Sequence, residues 1–387
     1  MTESEEFLTQ QLITYIGNKR SLLDFIDCGI QIVRKELGKD KLSVLDMFSG
    51  SGIVSRFMKS RASVQYVNDL ENYAACISRC YLSNAADLDM ELLKKLHSDL
   101  IASCHRKIKN FLSEDENSFL KVPGFISEYY APKNIEDIHS GERCFYTPYN
   151  ACYLDVMRQL IEKKVPEELK DYFIAPLLSE ASIHANTGGV FKGFYKNSAT
   201  GIGKFGGTKA DALSRIKGKI QLPFPVFSKY KSRVKVIQND ANLAADIIPQ
   251  TVDLAYIDPP YNQHPYGSNY FMLNLLADYK RPEENIMSRV SGIPKDWNRS
   301  AYNKKMKASE TFLDLVSRIK ARYLLVSFNN EGFIPEEEMV ALLNKVGTVT
   351  VLEEKYNAFR ASRNLKKRAV HTKEFLYVVR KNQECEK

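Results

Sequence analysis

Residues 43–52 read SVLDMFSGSG: a short apolar run, an acid, then a turn in which serine alternates with glycine. Ser43-Val44-Leu45 has the length and character of a buried strand, and a helix is expected from about Ile53 to Lys59. A second strand, Val64 to Val67, ends at Asn68-Asp69 and leads into another helical stretch. Strand, turn, helix, strand is the βαβ unit of an open parallel sheet. The sequence therefore predicts an α/β fold with a doubly wound, mostly parallel sheet.

The same rhythm continues outward. Upstream, Leu22, Leu23, Phe25, Ile26, Ile30 and Val33 recur at helical spacing over Ser21 to Leu37, with Gly38 as the stop. Downstream, strands are expected at Val234 to Ile237, ending at Asp240; at Val252 to Ile257, ending at Asp258; and at Tyr323 to Phe328, ending at Asn329. Val349 to Leu352 and Glu374 to Arg380 complete the set and flank a basic loop. From residue 86 to 235 the pattern changes. Helical stretches (Met90 to Leu112, Leu154 to Lys164, Leu169 to His184) alternate with irregular aromatic pieces such as Glu128 to Pro132, and 187–207, TGGVFKGFYKNSATGIGKFGG, reads as a long functional loop. The expected organisation is a first core part over 1–85, an inserted region over 86–235, and a second core part over 236–387.

A chain of 387 residues with 44% apolar content can bury a sizeable core. No run approaches the roughly eighteen apolar residues of a membrane span, and the start, MTESEEFLTQQ, is acidic and polar rather than a signal peptide, so a soluble, cytoplasmic protein without a membrane partner is expected. Seven cysteines without a Cys-x-x-Cys pair argue against a disulfide framework and against a zinc site; Cys76 and Cys80 read as core packing. Net charge is +8, but it is segregated. Lys192 to Lys235 holds eleven Lys/Arg against one acid, Asp211, and Lys355 to Lys381 holds nine against one, Glu374, leaving the remainder net acidic. Two surfaces built for a polyanion are expected, the alternative being solvated charged faces.

Ligands of open α/β sheets bind outside the carboxyl ends of the strands, where Asp46, Asp69, Asp240 and Asp258 fall. The glycine turn after the first strand permits close approach to the backbone. A phosphate-binding loop would need Gly-Lys-Ser/Thr where Ile53 and Val54 follow Gly52, and a dinucleotide fingerprint would need glycine at Ser55. An acid at the second strand end, Asp69, suits a ribose hydroxyl pair. The combination points to a nucleoside cofactor without a pyrophosphate.

Asp46-x-Phe48-x-Gly50-Ser51-Gly52, preceded by Tyr15-x-Gly17-Asn18-Lys19 and followed by Asp258-Pro259-Pro260-Tyr261, resembles the D12 class of DNA adenine-N6 methyltransferases. The resemblance implies the Rossmann-like methyltransferase fold with an inserted DNA-recognition region, in the family's alpha order of motifs. It implies S-adenosylmethionine as cofactor, held by the Asp46–Gly52 turn, with Tyr15, Gly17, Asn18 and Lys19 closing over its methionine part, and Asp258 to Tyr261 receiving the target adenine; Asp69 and Asp258 are also expected to touch the cofactor. It also implies double-stranded DNA as partner and a restriction nuclease as genetic partner. A monomer is expected, although the sequence carries no signal of oligomeric state. Asp240 suits the adenine amino group of the cofactor, with helix capping as the alternative.

Elementary chemistry agrees. The N6 lone pair of adenine is delocalised into the ring, and two acceptors aimed at its N–H bonds favour a pyramidal, nucleophilic nitrogen; Asp258 and the Pro259 carbonyl can serve, the latter aimed by the fixed φ of a Pro-Pro step. Tyr261 offers a stacking ring. No covalent nucleophile is needed. The adenine must leave the duplex, and Asn262, His264, Tyr266, Asn269 and Tyr270 are expected to wall its pocket, His264 as a hydrogen-bond donor or proton acceptor. Lys192, Lys196, Lys204 and Lys209 are expected on phosphates of the recognised site, with Gly188, Gly189, Gly206 and Gly207 allowing close approach; Phe194, Tyr195 and Phe205 read as packing. Arg360, Arg363, Lys366, Lys367 and Arg368 are expected on DNA backbone beside the active site. Two other readings stay open: transfer to RNA or to a glutamine amide, and a non-catalytic DNA-binding module.

Overall fold

The computed structural model describes residues 3–207, 212–357 and 371–382. Seven strands form one sheet: β1 (Leu42–Asp46), β2 (Ala62–Asp69), β3 (Arg233–Gln238), β4 (Val252–Ile257), β5 (Ala321–Asn329), β6 (Gly347–Asn357) and β7 (His371–Lys381). Their order is β3-β2-β1-β4-β5-β7-β6. The first five pair in parallel, and β7 runs antiparallel between β5 and β6. The doubly wound, mostly parallel sheet expected from the βαβ rhythm is therefore present, with each strand extended by one or more residues beyond its apolar run except β4, whose six residues match the expected span.

The sheet is covered on both faces, as period-two side chains require. On one face Leu42, Val44, Leu254, Tyr256, Leu325 and Val378 pack with the helices Leu23–Leu37 and Ile53–Met58. On the other, Leu45, Ala255, Ile257, Leu324, Val326 and Tyr377 meet the helices Ala241–Ile247, Lys305–Arg318 and Glu336–Leu343. Gly38 ends the first of these helices in the left-handed region, φ +63°, as its position predicts.

A third core lies beside the sheet. Helices Asn72–Tyr81, Met90–Ile108, Pro148–Lys164 and Asp171–Ile183 share it with Phe271–Asp278, which follows β4 in the chain. Cys76, Cys80, Cys104 and Cys152 are packed within it. Residues 187–207 form no helix or named strand; the loop is folded by Asn186, whose Nδ2 donates to the carbonyls of Cys144 and Lys204, while Phe194 packs edge-on against Phe145. Among the described residues no helix is long and apolar enough to cross a membrane.

Candidate active site

From β1 the chain winds outward to β2 and β3, then crosses back to place β4 on the other side of β1. That reversal leaves a crevice at the carboxyl ends of β1 and β4. A cavity open to solvent lies there. Of the residues expected to bind cofactor, Tyr15, Gly17, Asn18, Lys19, Asp46, Phe48, Gly50, Ser51, Asp69, Asp240 and Asp258 all line it. Gly52 does not; with φ +74° it turns the chain into the helix that follows.

The turn is shaped around Tyr15. At Gly50, φ +51°, an added Cβ would stand 2.8 Å from the Tyr15 ring, so only glycine allows this contact. The Gly50 N–H donates to Asp69 Oδ2 at 2.7 Å, and the Glu71 N–H to Oδ1 at 2.9 Å. Asp69 thus ties the turn to the end of β2 while keeping lone pairs toward the cavity. Asp240 caps the helix Ala241–Ile247, Oδ1 accepting from the Asn242 N–H, and also lines the cavity; capping and ligand contact are compatible here.

Five carboxyls, Asp46, Asp69, Glu71, Asp240 and Asp258, face one ammonium, Lys19, around the cavity. Burial pushes Asp46 and Glu71 up to about 7, and Asp69 and Asp258 up to about 6. For Lys19 burial pulls downward, but the charges of Asp258 and Glu374 outweigh it and hold the pKa well above its ordinary value. Asp253, at the opposite end of β4, shows the contrast. Burial raises it too, yet Lys39 at 2.7 Å and Ser43 outweigh that and lower it. The acids of the cavity have partners too, among them Ser55 on Asp46, the Gly50 and Glu71 N–H groups on Asp69 and Lys19 near Asp258, but there burial outweighs them. Asp46 Oδ1, Asp258 Oδ1, Ser49 Oγ, Asn68 Oδ1 and Asn18 Nδ2 are buried there without a hydrogen bond. Such groups are costly unless a ligand supplies partners. A cationic ligand with several donors and acceptors fits them.

Asp258, where β4 ends, has the Lys19 ammonium 3.3 Å from Oδ1, a longer contact than Lys19 makes with Glu374. Lys19 is gripped by Glu374 Oε1 at 2.5 Å, which also accepts from Ser327 Oγ. Glu374 lies on β7 and is 3% exposed. The sequence marks it as the lone acid of a basic stretch and the start of a strand, not as a site residue. Its isolation within Glu374-Phe375-Leu376-Tyr377-Val378-Val379, an otherwise apolar strand, was the available signal. Pro260 lines the cavity, whereas Pro259 is buried and Tyr261 is half-buried, its ring edge-on to Phe328 and 5.8 Å from the Lys19 Nζ. Tyr302 and Asn303, also on the wall, had no sequence signature; Tyr302 meets Phe48 edge-on at 5.3 Å and its hydroxyl donates to Asn242 Oδ1.

The loop after Tyr261 divides. Tyr266 lines the cavity and stacks on Tyr15 at 5.0 Å; Asn262 is half-buried and His264 exposed, with burial and the charge of Lys192 lowering the His264 pKa. Asn269 and Tyr270 correct the expectation of a pocket wall. The helical turn Tyr266–Asn269 points both inward: Asn269 is 2% exposed, and Tyr270 is fully buried beneath Tyr15, its hydroxyl accepting from the Ile16 N–H. They support Tyr15. Lys192 and Lys196 are exposed and Lys204 is half-buried on the insert loop. Lys209, Arg360, Arg363, Lys366, Lys367 and Arg368 lie outside the described residues.

The sequence was compared with those of known proteins. The chain is 28% identical over 353 residues to the type II methyltransferase M.CviAII of Paramecium bursaria Chlorella virus 1, covering 90% of this chain and 93% of that protein. It is 27% identical over 379 residues to the type II methyltransferase M.NlaIII of Neisseria lactamica, covering 95% and 99%. With the type II methyltransferase M.FokI of Planomicrobium okeanokoites it shares 25% over 376 residues, 95% of this chain but 52% of that one. The family model for D12 class N6 adenine-specific DNA methyltransferases matches residues 15–342, from the Tyr15 segment through both cavity walls. Fold, crevice and family agree: the chain belongs to the D12 class of N6 adenine-specific DNA methyltransferases.

Proposed function

We propose that the protein transfers the methyl group of S-adenosylmethionine to N6 of an adenine flipped out of duplex DNA at a specific site. The carrying observation is Asp258: a half-buried carboxylate at the end of β4 that lines the cavity, with the Lys19 ammonium 3.3 Å from Oδ1. When bound, the cofactor supplies an electrophilic methyl on a sulfonium. The chain's own groups do the rest. Five cavity carboxyls favour a ligand that carries positive charge, and Asp69 retains lone pairs for ribose hydroxyls. Asp46 Oδ1 and Asn18 Nδ2 remain for the polar ends of the methionine part.

At the target, Asp258 accepts from one N6–H and the Pro259 carbonyl from the other, turning the nitrogen lone pair toward the donor; this is positioning and electrostatics rather than covalent catalysis. Lys19 keeps Asp258 ionised, and Glu374 holds Lys19 back from closing a hydrogen bond onto it. Tyr261 and Tyr266 supply the rings beside the base. Lys192, Lys196 and Lys204 of the insert loop meet phosphates, as do Lys209, Arg360, Arg363, Lys366, Lys367 and Arg368. Because two of the relatives named type II methyltransferases match over nearly their whole length, protection of host DNA beside a restriction nuclease is the role proposed; the enzyme is proposed to act as a cytoplasmic monomer.

Incubation with labelled S-adenosylmethionine and separate DNA, RNA and protein substrates tests this. Label should enter DNA as N6-methyladenine, and Asp258→Ala should abolish it while DNA binding persists. Label in RNA or protein alone refutes the reading.

A further inference from the structure

One rim of the cavity is built by residues 295–307, KDWNRSAYNKKMK. Asn298, Ser300, Tyr302 and Asn303 line the cavity, and the residues around them face outward. Lys295, Arg299, Lys304, Lys305 and Lys307 are exposed and set against a single acid, Asp296. No ion pair among the described residues joins any of these five to an acid. Trp297, the only tryptophan of the chain, is half-buried and carries the Arg299 guanidinium over its ring at 4.1 Å. Met306 beside them is 93% exposed.

The rim is anchored to the cavity. Asn298, between Trp297 and Arg299, donates from Nδ2 to Glu71 Oε2 at 3.1 Å and to the Leu70 carbonyl at 3.3 Å. Gly267 packs so closely that an added Cβ would stand 2.8 Å from the Asn298 carbonyl oxygen. Unpaired cations, an aromatic plate and a fixed place at the lip of a base-sized cavity suit one partner: the nucleic-acid strand on either side of the nucleotide that enters. We propose that residues 295–307 are a DNA-binding rim, with Lys304, Lys305 and Lys307 on phosphates and the Trp297–Arg299 plate against the nucleotide flanking the flipped adenine. The proposal rests on the methyltransferase reading above and adds a surface that neither basic stretch of the sequence includes.

Trp297 is its own reporter. In the full chain, tryptophan emission excited selectively over tyrosine should be quenched by double-stranded plasmid DNA and restored by salt. The triple variant Lys304→Gln, Lys305→Gln, Lys307→Gln should bind the same DNA more weakly. Its slope of log affinity against log salt should be shallower by about 2–3, at roughly 0.9 per phosphate contact. Its binding of S-adenosylmethionine should be unchanged. If emission does not respond and the slope is the same, while the wild-type chain methylates the DNA, the rim proposal is overturned and the function stands. If the folded wild-type chain neither binds nor methylates DNA, the function falls and the rim with it.

Discussion

Glu374 makes no contact with the base in the proposed reaction, yet it decides what Lys19 does. At 2.5 Å it takes the ammonium that would otherwise close on Asp258 at 3.3 Å. Asp258 stands at about 6, raised first by burial, lowered by Lys19 and raised again by the Glu374 charge. Glu374→Gln should therefore lower kcat by roughly tenfold, the equivalent of about 1.4 kcal/mol. It should also move the acid limb of the pH–rate profile below its wild-type position near 6; an unmoved limb with normal kcat would assign Glu374 to structure alone. Asp46 shows the opposite balance. Its folded pKa of about 7 lies above that of the unfolded chain, so its contribution to stability is present at acid pH and lost as pH rises through about 7. Asp46→Asn should stabilise the ligand-free protein at pH above about 7 by a few kcal/mol at most, at about 1.36 kcal/mol per unit. The same change should weaken cofactor binding, both readable by thermal melts with and without S-adenosylmethionine.

At the scale of elements, the segment from Leu8 to Lys19 is a strap carrying Tyr15 and Lys19 to the site. Arg56, 1% exposed, fastens it: its guanidinium donates to the carbonyls of Phe7 and Gln10 and lies over the Phe7 ring. Arg56→Ala leaves those carbonyls without their donors, and a loss of about 2–5 kcal/mol is expected, measurable by urea unfolding, with cofactor affinity falling as the strap loosens. Strands β1 to β5 and the acids at their ends were legible because buried strands are apolar runs of fixed period and a parallel sheet puts ligand chemistry at one edge. Glu374 was hidden because its direction depends on the register of Asn329 against Glu374, which pairs strands on either side of a long intervening segment. Tyr302 and Asn298 were hidden because loops carry no period. Asn269 and Tyr270 were misplaced for a local reason: one helical turn rotates them inward.

For the whole molecule, the charge pattern is divided between a carboxyl-lined cavity and basic outer surfaces. With Asp46 and Glu71 near 7 and Asp69 and Asp258 near 6, the carboxyls of the cavity are partly protonated at neutral pH. A cationic donor prefers the ionised forms, so its binding should release protons and its affinity should rise from pH 6 to pH 8. Calorimetry in two buffers of different ionisation enthalpy measures the release; zero release would mean that these acids do not face the donor's charge.

The Lys19–Glu374 bond joins residues 355 apart in sequence, and β6 has no neighbour in the sheet except β7, the last strand. During synthesis the chain emerges from its amino end. The cofactor turn, the strap and Asp258 can all be in place while β6 still waits for a partner and Lys19 for its anchor. Lys19 therefore takes its place beside Asp258 only when the strand that carries Glu374 has docked against β5, so the centre is assembled by a contact between the two most distant parts of the described chain.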